Sequence, residues 1–228
     1  MKDIATLVVV HSRLYPSDAL HLERLLIASV HKRLVEAGRF KSAGVDDKQG
    51  TIQFGGGEFV HGDATFLVEA LVFEDRRMTL KFHGPSRIAE ACFEALLAVM
   101  GELGIAPAAP AVLATNDSSF VATLGFDFRE VFVPAVRTFI DQAVPCALAI
   151  EGTDVVVTPR AFTLHVLYQD KDTGALERYL SHAPRLLTIE PRLRTALSER
   201  RYFCSAPTDS DTLVRLVEEF ESSMVSPR

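Results

Sequence analysis

The chain changes character over Gly104-Ile-Ala-Pro107-Ala-Ala-Pro110-Ala-Val-Leu-Ala-Thr115, a segment rich in proline and alanine. On each side of it the same order of patterns occurs: a strand that leads into a helix, several alternating strands and an amphipathic helix. This order predicts an α+β fold of two similar halves, with helices packed on one face of antiparallel strands. We expect a first half over residues 1–104, a linker over 105–116 and a second half over 117–228. The two halves could equally pack as a single domain.

In the first half the signals for secondary structure are regular. Ser17 is placed to cap a helix that ends at Gly38. A hairpin is expected between residues 65–73 and 78–82, and a second helix after Gly84-Pro85-Ser86. In the second strand of the hairpin apolar and polar residues alternate, as is typical of a half-buried strand: Met78, Leu80 and Phe82 against Thr79, Lys81 and His83.

The second half repeats this order with less regular signals. Alternation predicts a strand over 120–128, followed by a helix over 129–143 with Pro134 in its first turn or at a bend. Residues 176–180 fit a strand or one helical turn equally well. Pro191 is expected to start a helix through Arg201. Further strands are predicted at 146–150, 154–158 and 162–168, and the apolar stripe of the last helix is Leu213, Leu216, Val217, Phe220 and Met224.

Composition excludes several classes of protein. The 228 residues carry a net charge of −6 and are 48% hydrophobic, which is typical of a globular protein. The apolar run Ile4–Val10 is too short for a signal peptide or a membrane span, so we expect no membrane partner. Since phosphate neutralisation needs a dense basic face, the acidic composition argues against nucleic acid.

Three cysteines, Cys92, Cys146 and Cys204, have no disulfide or metal spacing, and we expect a cytoplasmic protein with free thiols.

A glycine-rich segment provides the first candidate site. Gly55-Gly56-Gly57 fails the dinucleotide pattern because Val60 stands where the third glycine belongs, and we interpret it as a flexible hairpin connection. The same loop, over residues 55–63, carries Glu58, His61 and Asp63. These side chains could supply a general base or an oxygen and nitrogen ligand set, or they could be solvated loop residues.

Elsewhere the sequence carries no catalytic signature and no metal-ligand spacing, so we predict no catalytic residue, no metal and no cofactor. Asp209-Ser-Asp211 resembles a metal-binding pair of carboxylates. Its position at a helix start explains both acidic residues, since they cap amide groups and oppose the helix dipole.

Charge segregation near the end of the chain provides the second candidate site. Residues 185–201 hold five arginines against two glutamates, and the last helix is acidic. We expect Glu218, Glu219 and Glu221 to face solvent and to form a docking surface. The leading hypothesis is a non-enzymatic acidic intracellular protein that engages another macromolecule, most simply a protein, as immunity proteins and small regulators do. The alternative is an enzyme or small-molecule-binding protein with a site between the two halves, near the loop 55–63.

Overall fold

The computed structural model describes residues 1–46, 50–144, 157, 159–166, 185–192 and 195–225. In these ranges the helices are α1 (Leu22–Leu25), α2 (Ala28–Ala37), α3 (Ser86–Glu102), α4 (Pro134–Thr138) and α5 (Ser210–Val225). The strands are β1 (Lys2–Leu14), β2 (Ser42–Asp46), β3 (Thr51–His61), β4 (Ala64–Glu74), β5 (Arg77–His83), β6 (Leu113–Thr123), β7 (Phe162–His165), β8 (Leu186–Pro191) and β9 (Arg201–Ala206).

These strands form one nine-stranded sheet in the order β2-β3-β4-β5-β1-β6-β9-β8-β7. Strand β1 pairs antiparallel with β5, and the same holds for β2 with β3, β3 with β4, and β4 with β5. On the other side β8 pairs antiparallel with both β7 and β9. The predicted α+β class is therefore confirmed.

Contacts divide the chain into two compact units. The larger unit consists of Thr6–Ser119 and Pro207–Thr212, and the smaller unit of Met1–Ala5, Phe120–Ala206 and Leu213–Arg228. The proline- and alanine-rich segment belongs to the larger unit. Within it the Ala108 N–H donates to the Ala19 carbonyl, and the Val112 N–H donates to the Leu14 carbonyl. Strand β6 begins within this segment, at Leu113.

The core of the larger unit lies between its helices and one face of its strands. Met78, Leu80 and Phe82 of β5 are fully buried, as their alternation predicts. Phe93 of α3 is buried in the same cluster. Apolar burial of this kind stabilises a fold by about 25 cal/mol per Å² removed from water, so these side chains fix which sheet face meets the helices.

The three consecutive glycines lie inside β3, and the hairpin connection expected there is instead the turn at residues 62–63. Gly56 has a φ of +66°, a conformation that favours glycine. A Cβ at Gly57 would lie 2.6 Å from the carbonyl oxygen of Gly38, which accepts the Glu58 N–H at 3.0 Å. Glycine is needed here because β3 passes against the end of α2.

In the smaller unit the first part of the predicted helix 129–143 is a 3-10 turn over Phe128–Val131, and Pro134 starts α4.

The aromatic ring of Phe126 stacks on Tyr202 at 5.4 Å and meets Phe220 of α5 edge-on at 5.6 Å. The Tyr202 hydroxyl donates to the Phe126 carbonyl at 3.0 Å. These contacts, with the buried Leu213 and Val217, confirm the predicted apolar stripe of the last helix in part. The expectation is wrong for Leu216, which is exposed.

The predicted helix from Pro191 to Arg201 is wrong. Strand β8 runs up to Pro191, a 3-10 turn covers Leu197–Glu199, and β9 begins at Arg201. Arg200 has a φ of +51°, which interrupts a helix and returns the chain to the sheet. Four of the predictions for this unit lie outside the described residues. They concern Cys146, the strand 146–150, the undecided segment 176–180 and, apart from Val157, the strand 154–158.

Candidate functional site

The sheet of the larger unit has a second face, opposite its core, that carries mostly short side chains in two rows. The first row crosses four adjacent strands through the pairs Gln53–Val72, Val72–Thr79 and Thr79–Ser12. The second crosses the same strands through Gly55–Ala70, Ala70–Lys81 and Lys81–Val10. Because side chains alternate along a strand, these residues point away from the buried Leu80 and Phe82. We call these two rows the open face.

The open face carries polar and β-branched residues together with Gly55 and Ala70, which are buried. Ser12 Oγ and Thr79 Oγ1 lie 3.1 Å apart and hydrogen-bond across the strands. Gln53 is exposed, while Val10, Val72 and Thr79 are half-buried. The two rows contain no aromatic ring, which is the group on which single-stranded nucleic acids stack. The sequence indicated this face through the alternation in β5, although it gave no reason to assign it a function.

At one side of the open face three charged or titratable side chains meet at a β-bulge. The register of β4 against β5 shifts between Val68 and Ala70, which turns Glu69 toward the neighbouring strand. Lys81 Nζ lies 2.5 Å from one oxygen of Glu69, and His83 Nε2 lies 2.9 Å from the other. Hydrogen bonds from Lys81 and His83 hold the pKa of Glu69 below its usual value. The charge of Lys81 is therefore compensated within the face.

The residues predicted in the loop 55–63 are not brought together. Glu58 and His61 are three positions apart in β3 and thus on opposite faces of the strand. His61 is exposed and stacks on Phe59 at 6.1 Å between ring centroids. Asp63 is exposed in the turn. Glu58 alone has charged neighbours: Lys41 Nζ at 3.7 Å and an Arg39 guanidinium nitrogen at 4.0 Å.

Glu58 also lines a small cavity that lies entirely within the larger unit. Its volume is about 70 Å³, and its walls come from the end of α2, from β3 and β4, and from α3. The walls are mostly apolar and include Gly38, Phe40, Cys92, Leu96 and Val99. Sequence reasoning selected Glu58 but missed the cavity, since its walls are up to sixty residues apart along the chain.

A buried polar network joins β1, α3 and β6. His11 is 2% exposed, and its Nδ1 lies 2.8 Å from Asn116 Oδ1. Its Nε2 accepts from Arg13 at 3.2 Å, so Nδ1 carries the proton of the neutral ring. Arg13 also pairs with Glu94 at 2.5 Å and lies over the Phe93 ring. Burial lowers the pKa of His11. This arrangement clamps the helix to the sheet.

The acidic surface predicted on the last helix is present only in part. Glu218 and Glu219 are exposed, as expected. The expectation is wrong for Glu221, whose side chain is 14% exposed, accepts the Gly125 N–H at 2.5 Å and pairs with the amino group of Met1. Glu221 follows Val217 by four positions, which places it beside the buried stripe.

At the start of the same helix Asp209 accepts the Thr212 N–H at 2.8 Å, the capping role predicted for it.

The remaining features concern cysteines, metals and membranes. Cys92 and Cys204 are free and buried, and burial raises the pKa of each thiol to about 12. Within the described ranges no group of three or more His, Cys, Asp or Glu side chains is arranged to hold a metal ion. None of the helices in that part of the chain combines the length and the apolar character that a bilayer crossing requires.

The comparisons with known proteins found similarity to solved structures. No family model matches the chain, and no curated protein matches it. Among solved structures the chain is similar to Methanococcus jannaschii TBP, with 13% sequence identity and a TM-score of 0.42 over 97% of this chain and 96% of that one. At this identity and TM-score the likeness carries no argument about function.

We expected a protein partner and no nucleic acid. The exclusion of nucleic acid is wrong. Methanococcus jannaschii TBP, which is among the solved structures to which this chain is similar, is a DNA-binding protein. Net charge is a property of the whole chain and does not describe one face of it, so it does not exclude nucleic acid. Nucleic acid therefore belongs among the ligands against which the open face is tested.

Proposed function

We propose that this is a binding protein that engages another macromolecule through the open face of its larger unit. The observation that carries the proposal is the pair of rows that cross four adjacent strands, from Gln53 to Ser12 and from Gly55 to Val10. Strands lie about 4.8 Å apart, so each row extends over about 14 Å. A surface of this width with short side chains suits a broad partner better than a small molecule, which needs walls around it.

The charge of the open face supports docking that depends little on salt. Lys81, in the middle of the second row, is paired with Glu69, so the face brings no uncompensated charge to a partner. Steering by long-range charge is weak for such a surface, and affinity then comes from shape and from apolar contact. This differs from docking on the acidic last helix, where association would slow steeply as salt is added.

Two finer proposals accompany this function. We infer that the fold is an internal repeat, because α3 follows β5 just as α5 follows β9 and both helices begin at a serine, Ser86 and Ser210. We also place the protein in the cytoplasm, a placement supported by the free thiols of Cys92 and Cys204.

Charge placed on the open face tests the proposed function. Gln53 is exposed, so Gln53→Arg and Gln53→Glu should leave the free energy of unfolding within about 0.5 kcal/mol of wild type. Each variant is used as bait in the native lysate, with and without nuclease. Captured molecules are identified, purified and titrated against wild type and both variants. The matched control is Glu219→Lys on the exposed side of α5.

A protein partner should bind both Gln53 variants at least about tenfold more weakly than wild type, because an unpaired charge is then buried in the interface. A nucleic acid should bind the arginine variant more tightly and the glutamate variant more weakly, and nuclease should remove it. Either result supports the open face as the docking surface. Equal binding by all Gln53 variants, with a loss confined to Glu219→Lys, would instead assign docking to the last helix.

A further inference from the structure

Strand β2 lies at one end of the sheet and, within the described residues, pairs on one side only. All five of its residues, Ser42–Asp46, are exposed. Its register against β3 is continuous, so no bulge turns the strand away from a neighbour. Exposed edges are commonly blocked by a bulge, a proline or a lysine within the strand, and β2 contains none of the three. The outer side of β2 is therefore able to accept a further strand.

The side chains of β2 divide into an apolar side and a polar side. Ala43 and Val45 pair with buried residues of β3, so they lie on the face of the sheet that carries the core. Val45 is nevertheless 47% exposed, because β2 is the last strand at this end of the sheet. Ser42, Gly44 and Asp46 alternate with these residues and lie on the other side. A strand that pairs here must offer apolar side chains on the core side and polar ones on the opposite side.

The two ends of β2 carry opposite charge. At its start Lys41 is 73% exposed and Arg39 is 61% exposed, and Glu58 offsets one of these two positive charges. At its end stands Asp46. An antiparallel copy of the same strand brings the acidic end of each strand to the basic end of the other, whereas a parallel copy sets like charges side by side. The charges therefore favour an antiparallel copy of β2.

We propose that β2 pairs antiparallel with β2 of a second copy of this chain, about a twofold axis at Gly44. This register pairs all five residues of the strand. Ala43 of each copy then lies opposite Val45 of the other on the core side, and Ser42 lies opposite Asp46 on the other side. The result is one continuous sheet that carries both open faces on the same side. The proposal does not depend on what the open face binds.

The interface along one short strand is small. Five residues span about 17 Å, and the area that they bury is below that of a stable dimer. We therefore expect the two copies to associate and dissociate readily. A covalent trap detects such an association and reports its register at the same time.

Disulfide trapping of the full-length protein tests the proposal. Directly opposed residues of antiparallel strands have Cα atoms about 4.5–5.5 Å apart, within the range that a disulfide needs. A side chain at Gly44 meets no atom within 4 Å, so Gly44→Cys should leave the fold intact. Under mild oxidation it should form at least about tenfold more covalent dimer than wild type. The three native cysteines of the wild-type protein set the background.

Two further cysteine variants test the register. Ala43→Cys alone should give little covalent dimer, because the two copies of residue 43 are diagonal neighbours about 7–8 Å apart, too far for a disulfide. The same holds for Val45→Cys alone. A mixture of the two variant proteins should form the dimer, because residue 43 of one copy then lies directly opposite residue 45 of the other.

A charge on the edge should prevent the pairing. In the Gly44→Cys protein, Val45→Lys should reduce the covalent dimer to the wild-type background, because it places a lysine on the apolar side of the edge. Val60→Lys is the matched control, since Val60 of β3 is 46% exposed and lies away from this edge. Three results would each overturn the proposal: no more dimer from Gly44→Cys than from wild type, equal dimer from Ala43→Cys alone and from the mixture, or equal effects of the two lysine substitutions.

Discussion

The most informative stability test concerns two serines at the first positions of the long helices. Ser86 and Ser210 are 4% and 2% exposed. The Ser86 N–H donates to Ser210 Oγ at 3.0 Å, and the Ser210 N–H donates to Ser86 Oγ at 2.7 Å. Each hydroxyl thus caps the other helix. Both residues lie in the larger unit, so this reciprocal cap ties the start of α5 to the start of α3.

Replacing either serine with alanine leaves one buried N–H without its acceptor. Such an unpaired group costs about 1–3 kcal/mol, and loss of a helix cap costs about 0.5–2 kcal/mol. We therefore expect Ser86→Ala and Ser210→Ala each to lower the free energy of unfolding by about 2 kcal/mol. The double variant should lose more than either single variant, but its loss should differ from their sum by about 0.5–3 kcal/mol, because effects of residues in direct contact are coupled.

Urea denaturation of the four proteins measures these differences, provided that the dependence on denaturant stays the same. Ser222→Ala is the control, because the Ser222 hydroxyl bonds an exposed carbonyl within α5. It should change the free energy of unfolding by less than about 0.5 kcal/mol. Single-variant losses no larger than that of the control would refute the reciprocal cap.

Three further predictions concern other contacts. Glu221→Lys should lower the free energy of unfolding in urea by about 2 kcal/mol, because the carboxylate that accepts the Gly125 N–H is lost. Glu219→Lys, the control, should stay within about 0.5 kcal/mol of wild type. Equal effects of the two substitutions would contradict the difference in burial between Glu221 and Glu219. Since burial depresses the pKa of His11 in the folded protein, the stability that His11 contributes is present above a pH of about 6.5 and is lost as the pH falls toward its folded pKa. His11→Asn should flatten this part of the stability curve, and an unchanged slope would contradict a depressed pKa. Gly57→Ala should cost about 2 kcal/mol in thermal or urea denaturation, because the added Cβ meets backbone 2.6 Å away; a neutral effect would show that β3 does not approach α2 so closely.

Local patterns account for the part of the fold that sequence predicted. Alternation in β5 gave both its buried face and its open face, because the strand period is two. The spacing of Leu213, Val217 and Phe220 gave the buried stripe of α5, because the helix period is 3.6. The same rule places Glu221 beside that stripe, so the sequence contained the signal against treating it as a surface carboxylate.

Long-range contacts account for what sequence missed. Gly57 is a glycine because of Gly38, nineteen residues earlier, and nothing local distinguishes this from a flexible turn. His11 and Asn116 are separated by 105 positions. In place of the helix expected from Pro191 to Arg201 the chain has the end of β8, a 3-10 turn over Leu197–Glu199 and the start of β9, and Arg200, in a left-handed conformation, ends that turn. Sites assembled in this way leave no spacing pattern to find.

Photo-crosslinking tests the central claim, that the open face is the docking surface, most directly. A photoreactive residue is placed at Gln53 on the open face or at Lys32 on the exposed side of α2, and each protein is irradiated with the native lysate. We predict that a discrete crosslinked macromolecule forms at Gln53 and not at Lys32. For a protein partner the product should persist at high salt and be lost in a Thr79→Arg background, and for a nucleic acid the Thr79→Arg background should increase it. Crosslinking that is equal at both positions, or that Thr79→Arg leaves unchanged in a folded protein, would contradict the account.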